Sequence, residues 1–286
     1  MAKRGLFVGL MTLDLIYLAD APPVANQKIV AQETTIAAGG PATNAAIAFQ
    51  SLGNSATILG ALGQHPMTQI IRADLEQYEV SIVDLDPNRI DFPPVSSIVV
   101  TKATGDRSVV SINAVKSQIQ TDVIPVDVLD SIDVILIDGH QMPVGAAIAQ
   151  AAKQQGIPVV IDGGSWKPGL ETVLPWIDYA ICSANFRPPD DQDVFEFLKS
   201  FGIKAIAITH GNQAIEAEME GDRFQITVPQ VEVVDTLGAG DIFHGAFCHY
   251  ILENEFAIAL AKASRIAAHA CQFFGTRTWI EKIPHS

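Results

Sequence analysis

Basic side chains are scarce in this sequence. Lys and Arg number 18 against 32 Asp and Glu, for a formal net charge of −14, and no basic patch stands out. Aromatic residues make up only 7%. Both shortages argue against a nucleic-acid partner, whose phosphates must be neutralised by cationic side chains. The acidity suits solubility and says nothing about the fold. Cysteine is nearly absent. Cys182, Cys248 and Cys271 are scattered without metal-ligand spacing and are expected to be free thiols in a reducing compartment. No apolar run approaches membrane-spanning length. The apolar start is interrupted by Asp14 and no small-residue cleavage site follows, so a core strand over Gly5–Leu10 is expected there rather than a leader. A cytoplasmic location is the matching expectation. The sequence also lacks Gly-x-x-x-x-Gly-Lys-[Ser/Thr], which excludes a P-loop, and it lacks the protein-kinase set. Its histidines show no zinc spacing.

What is present is a large apolar core. The chain has 286 residues, 48% of them hydrophobic, enough for one large domain with an elaboration or for two domains. Short apolar runs at Leu6–Leu10, Ala56–Leu59, Val134–Ile137, Pro158–Ile161, Tyr179–Cys182 and Ala205–Thr209 read as buried strands. Between them lie helical periods at Ala42–Leu52, Met67–Tyr78, Val144–Gln155, Gln192–Ser200, Ala239–Leu252 and Glu255–Phe274. Gly53, Gly156 and Gly202 supply helix stops. This alternation predicts a mainly parallel sheet with helices on both faces, an α/β/α arrangement. Two segments, about 14–37 and 93–113, break the rhythm with alternating polar and β-branched residues. They predict a small antiparallel layer, with a hairpin turning at Thr104–Asp106.

Residues 233–247 carry the chemistry: Val-Val-Asp-Thr-Leu-Gly-Ala-Gly-Asp-Ile-Phe-His-Gly-Ala-Phe. An extended apolar pair enters the turn Gly238-Ala239-Gly240, and a helix leaves it. Backbone N–H groups at a helix start have no intrahelical partner, and the helix dipole adds positive potential. The turn is therefore an anion site suited to phosphoryl oxygens. Asp241 places a carboxylate beside it. That placement would repel a stored phosphate, but it suits a reaction in which an acceptor hydroxyl loses its proton. Gly-x-Gly-Asp alone is more often a helix cap than a catalytic site.

A second glycine turn, Ala37-Ala-Gly-Gly-Pro-Ala-Thr-Asn44, also opens a helix. Gly39 and Gly40 permit close backbone approach to a ligand. Asn44 offers a donor and an acceptor to a sugar hydroxyl, or to backbone groups of a tight turn. Asp14 follows the first strand, where open α/β sheets bind ligands. Its carboxylate suits a pair of hydroxyls.

The longer string Asp235-Thr236-x-Gly238-Ala239-Gly240-Asp241 resembles the second signature of the ribokinase-like carbohydrate kinases, the PfkB family. Gly39-Gly40-x-x-x-Asn44 with its alanine-rich helix resembles the first. The resemblance covers essentially the whole chain. Val233–Phe243, Asp74–Val80, the Gly105–Val110 turn and Ile135–His140 are similar to the ketohexokinase/fructokinase branch, although Gly-Gly-Pro41 replaces its Gly-Gly-Asn. The resemblance implies one ribokinase-like domain over residues 1–286, a three-layer α/β/α core with a β lid inserted in it, and often a homodimer through that lid. It implies an ATP-dependent kinase acting on a primary hydroxyl of a small sugar, fructose first. A nucleoside or acidic-sugar kinase, or a catalytically silent scaffold, is the alternative.

By residue, the resemblance implies Asp241 as base with Gly238, Ala239 and Gly240 as anion hole. Asp14, Asn26, Gly39, Gly40 and Asn44 fall at sugar-binding positions. Arg107 either reaches down from the lid or is an exposed strand charge. Asn185, Thr209, Gly211, Gly238, Gly240 and Gly275 fall on the nucleotide side, and Asp162 and Lys167 near the phosphates, with Lys167 equally a solvated loop charge. Magnesium is expected with the nucleotide, and a need for a monovalent cation such as K+ is left open. The family's Asn-x-x-Glu becomes Asn185-Phe-Arg-Pro188, so an acidic residue that helps organise magnesium is missing and the metal ligands are unknown. Asp190 and Asp191 lie nearby to compensate, and Arg187 to contact phosphate directly.

Overall fold

The computed structural model describes residues 2–112 and 118–283. The end of the expected lid segment, residue 113, lies outside them. The six short apolar runs form six strands of one nine-stranded sheet because each is buried on both faces. Strand β1 (Arg4–Val8) lies inside the sheet, third from one edge. In it Leu6 and Val8 enter one core and Phe7 the other, as the two-residue period of a strand requires.

Two lid strands, β2 (Thr12–Ala19) and β3 (Glu33–Gly39), follow β1 directly. The chain then runs through α1 (Pro41–Ser51), β4 (Ser55–Gly60), α2 (Thr68–Gln77) and β5 (Ser81–Asp84). It returns to the lid as β6 (Val95–Thr101) and β7 (Arg107–Ser111). Next come β8 (Val134–Ile137), α3 (Met142–Gln155), β9 (Val159–Gly163), β10 (Tyr179–Ser183), α4 (Val194–Ser200) and β11 (Ala205–Thr209). A hairpin, β12 (Ile215–Met219) and β13 (Asp222–Ile226), closes that edge, and α5 (Ala239–Ile251) and α6 (Phe256–Ala270) end the fold.

The large sheet has the order β13-β12-β11-β10-β9-β8-β1-β4-β5. It is parallel from β11 through β5, and β12 and β13 are antiparallel. Helices α3 and α4 pack on one face, and α1, α2, α5 and α6 on the other. The winding reverses between β1 and β8. Side chains past the carboxyl ends of these neighbours therefore border a crevice, the place where such sheets bind ligands.

The expected hairpin forms, with Ser97 opposite Val110 and Val99 opposite Ser108. The lid is not wholly antiparallel: β2 runs parallel to β6, because the chain passes through the core between them. Asp14 lies inside β2 rather than in a loop after a core strand. The last helix stops at Ala270, short of Phe274, and the carbonyl of Cys271 takes the amides of Val234 and Asp235 instead. The fourth helix starts at Val194, where Asp193 accepts the Glu196 amide at 3.0 Å, a better start than Gln192 offers. No helix among the described residues is long and apolar enough to cross a membrane.

Candidate active site

Gly238 caps α5 at φ 71°, a left-handed conformation that glycine adopts without strain. A Cβ there would lie 2.9 Å from Thr276 Cγ2, 3.7 Å from Asn44 Nδ2 and 3.8 Å from Asp241 Oδ2. Gly240 is exposed and a Cβ on it would meet nothing, so the bend opens to solvent. Asp241 lies in the first turn of α5. Of the three expected anion-hole amides, that of Ala239 turns to the Thr236 carbonyl at 3.3 Å, a long bond. Helix geometry leaves the Gly240 amide facing out.

Helix α1 brings Asn44 to this point. Gly245 of α5 makes the approach possible: a Cβ there would lie 2.2 Å from the Ala45 carbonyl oxygen. With the helices this close, Asn44 Nδ2 donates to Asp241 Oδ2 at 2.8 Å. The two glycine turns, far apart in sequence, meet in that one hydrogen bond. Burial first, and then the Asp162 carboxylate, push the Asp241 carboxyl up to about 7, against the pull of Asn44, His244 and Arg107. A carboxyl with this affinity for protons is matched to general-base work near neutrality.

Asp14 is buried in β2, and burial pushes its carboxyl up to about 6 against a hydrogen bond from Ser96 and the charge of Arg277. Its Oδ1 is buried and has no partner. A buried carboxylate oxygen left unpaired marks a place where a ligand hydroxyl fits. The carboxylate lies over Gly39, where a Cβ would sit 2.0 Å from Oδ2. Gly40, at φ 102°, caps α1, and a Cβ there would strike the Leu10 carbonyl oxygen at 2.4 Å.

Sequence reading passed over the residue that holds this corner together. Asp138, at the end of β8, accepts from the amides of Leu10 at 2.9 Å, Ala42 at 3.2 Å and His140 at 2.9 Å. Burial alone would push its carboxyl up, but His140 and the Leu10 amide hold it below the usual range. The apolar run ending in Asp-Gly-His was the only signal. On β9, Asp162 lies 3.6 Å from His244 Nδ1, which is 2.7 Å from the Gly240 carbonyl oxygen. Among the described residues no group of three or more His, Cys, Asp or Glu stands ready to hold a metal ion.

The lid touches the bend. Thr236 Oγ1 donates to the Gly105 carbonyl at 2.9 Å, and Arg107 Nη1 donates to Thr236 Oγ1 at 3.2 Å. Arg107 thus reaches down from the hairpin, although it remains exposed. Asp235 is buried and accepts the amides of Leu237 at 2.8 Å and Gly275 at 2.9 Å. Gly275, expected on the nucleotide side, has its amide engaged there. Asn26 sits in an exposed turn at φ 61° between β2 and β3, and no described contact joins it to this cluster.

Along the other edge of the crevice, Thr209 is half-buried at the end of β11, and Gly211 is exposed at φ 65°. Asn185 is exposed, its amide donating to Ser183 Oγ at 3.1 Å. Arg187 folds its guanidinium back onto the carbonyls of Ala184 at 2.6 Å and Phe186 at 3.1 Å. Asp190 and Asp191 are exposed at φ 60° and 51°. Lys167 comes close to Gly139, and its charge reaches Asp138.

Known proteins resemble this chain along nearly its whole length. A ribokinase of Lactococcus lactis is 24% identical over 96% of this chain and 93% of its own. An ATP-dependent ribose-1-phosphate kinase of Halopiger xanaduensis is 25% identical over 96% and 94%. The structure of an Arabidopsis thaliana ribokinase complexed with ribose and ATP superposes with a TM-score of 0.75 at 19% identity, covering 100% of both chains. Residues 3–283 match the profile of the pfkB family carbohydrate kinases. The chain belongs to that family of ribokinase-like phosphotransferases, which act on a sugar hydroxyl.

Proposed function

We propose that this chain transfers the γ-phosphoryl group of ATP to a primary hydroxyl of a small furanose sugar. The carrying observation is the Asn44–Asp241 hydrogen bond at the mouth of the open glycine bend. Asp14, with its unpaired buried oxygen, takes sugar hydroxyls beside Gly39 and Gly40. Asp241 accepts the proton of the attacking hydroxyl. That oxygen bonds to the γ-phosphorus as the bond to the bridging oxygen of ADP breaks. The amides of Gly238 and Gly240 in the bend face the equatorial oxygens, where charge accumulates. ATP brings its own magnesium. Thr209 and Gly211 border the nucleotide. The lid keeps water, the competing acceptor, away from the phosphorus.

The relatives' names move the first candidate from fructose to ribose or a ribose derivative. Both sugars present a primary hydroxymethyl group and neighbouring hydroxyls, the features this site reads. An ADP-release assay with ribose, fructose, a nucleoside and an acidic sugar discriminates among them. With the best acceptor, Asp241→Asn lowers kcat by about 10³-fold and leaves ATP binding intact. Near-normal kcat in that variant would remove Asp241 from the mechanism. Pairing of two chains through the lid is supported by the apolar residues exposed on it: Ile36, Val109, Val110 and Ile112. Size-exclusion chromatography reads that directly.

A further inference from the structure

We propose that Arg277 is a positioning residue for the base. It fixes the side-chain amide of Asn44 so that Nδ2, and not Oδ1, faces Asp241. The inference rests on the reading of Asp241 as base.

The geometry is a chain of two hydrogen bonds. Arg277 Nη1 donates to Asn44 Oδ1 at 3.0 Å, and Asn44 Nδ2 donates to Asp241 Oδ2 at 2.8 Å. An amide has an acceptor on one side and a donor on the other, whereas a guanidinium only donates. The Asn44 atom beside Arg277 must therefore be oxygen. A flipped amide would set NH2 against the guanidinium and C=O against the carboxylate, two repulsive contacts at once. Chemistry, not the similar shapes of N and O, decides the orientation.

Arg277 is itself immobilised. Nη2 donates to the Ala38 carbonyl and, at 3.0 Å, to Asp74 Oδ2. Nη1 also donates to Thr276 Oγ1 at 3.0 Å. The guanidinium lies 5.5 Å from the centroid of the Tyr78 ring. Asp74 in turn accepts the Ala38 amide at 2.9 Å. The end of β3, α2 and the C-terminal segment thus aim one planar group at Asn44. Such a fork is hard to replace with a flexible ammonium.

Removing Arg277 frees the amide to turn. A turned Asn44 presents Oδ1 to Asp241 and favours the protonated carboxyl, which donates an O–H to it. The base then stays protonated to higher pH. The charged groups facing Asp241 are Asp162 from β9, His244 from its own helix and Arg107 from β7. Those facing Arg277 are Asp74 from α2 and Asp14 from β2, with the neutral phenol of Tyr78 just past α2 beside them. The Arg277 charge therefore also acts on Asp14, and the experiment must separate that effect.

The test is the pH profile of kcat/KM for the best acceptor with ATP. Arg277→Met is expected to move the acid limb up by about one pH unit, with the KM for ATP unchanged. The limb's position does not depend on how much enzyme is folded. Because Arg277→Met leaves the half-buried Asp74 without its ion-pair partner, Asp74→Asn with Arg277→Met is the second variant, and the same shift is expected there. In an Asn44→Ala background, Arg277→Met is expected to move the limb no further. An unshifted limb in both Arg277 variants, with only thermal stability reduced, would make the residue structural. A full extra shift in the Asn44→Ala background would assign the effect to charge on Asp14 or Asp241 and overturn action through Asn44. A fully active Asp241→Asn enzyme would instead refute the base reading itself.

Discussion

Asp241→Asn is expected to inactivate the enzyme and at the same time to stabilise it above neutral pH. In the folded chain the carboxyl is pushed from its ordinary 3.8 to about 7 by burial and by Asp162. Between those two values the folded state holds a proton that the unfolded state has released. Stability therefore falls as pH rises through this window, and the full cost is present above pH 7. At about 1.4 kcal/mol per unit, a shift of about three units sets a ceiling of about 4 kcal/mol. Asp241 is partly exposed and shares its titration with its neighbourhood, so solvent screening reduces the expected cost to about 1–2 kcal/mol. Asparagine removes the charge and keeps an oxygen for the Asn44 Nδ2 hydrogen bond. Thermal unfolding at pH 5 and pH 8 reads the difference. The variant should gain roughly 2–6 °C over the wild type at pH 8, and less than half of that at pH 5, where only about one of the roughly three units between the ordinary 3.8 and the folded value has been crossed. An equal gain at both pH values, or a loss at pH 8, would refute the electrostatic argument, whatever happened to kcat.

Two further substitutions test how the sugar corner and the bend are held. Gly39→Ala places a methyl 2.0 Å from the Asp14 carboxylate, so the KM for the sugar should rise at least about tenfold while the KM for ATP stays within twofold; calorimetric titration with the best acceptor checks it. Asp235→Asn keeps one acceptor but turns an NH2 toward either the Leu237 or the Gly275 amide; it should destabilise the fold by about 2 kcal/mol, measured by urea unfolding, with kcat falling as the bend loosens.

The core of this fold is legible because its physics is local. Val134–Ile137 and Ala205–Thr209 are apolar on both faces and form strands with those bounds. The edge hairpin was not legible. In β12, Ile215 and Ala217 face the core between charged neighbours, and β13 opens with Asp222-Arg223, so the segment reads as a polar loop. Only the apolar core beneath Ile215 and Ala217 makes it sheet. The site divides in the same way. Gly238, Gly240, Asp241 and Asn44 stand in strings long enough to resemble the two family signatures. Asp138 and Arg277 do not. Each is a single charged residue with no pattern around it, and each acts on segments about a hundred residues away or more. Gly275, which resembles a glycine that borders adenine, also has its amide engaged by Asp235, a contact visible only in three dimensions.

The contact between lid and bend bears on how closure and chemistry are linked. Thr236 and Asp235 are neighbours in the string that ends at the base, yet they face opposite ways. Thr236 bonds to Gly105 and Arg107 of the lid hairpin, and Asp235 bonds to the C-terminal turn at Gly275. A Cβ at Gly105 would lie 2.6 Å from Val233 Cγ1, so the hairpin reaches this depth only because it turns on glycine. Gly275 in turn lies against Thr35 of the lid strand β3, where an added Cβ would sit 3.2 Å from Cγ2. The residues flanking the anion site are thus touched by both lid segments. A lid movement that displaced Gly105 would pull on Thr236 and shift the amides two to four residues later. On the reaction proposed above, the lid contact that keeps water from the phosphorus is also the one that sets the donors, so transfer to water with the lid open meets a less well formed bend.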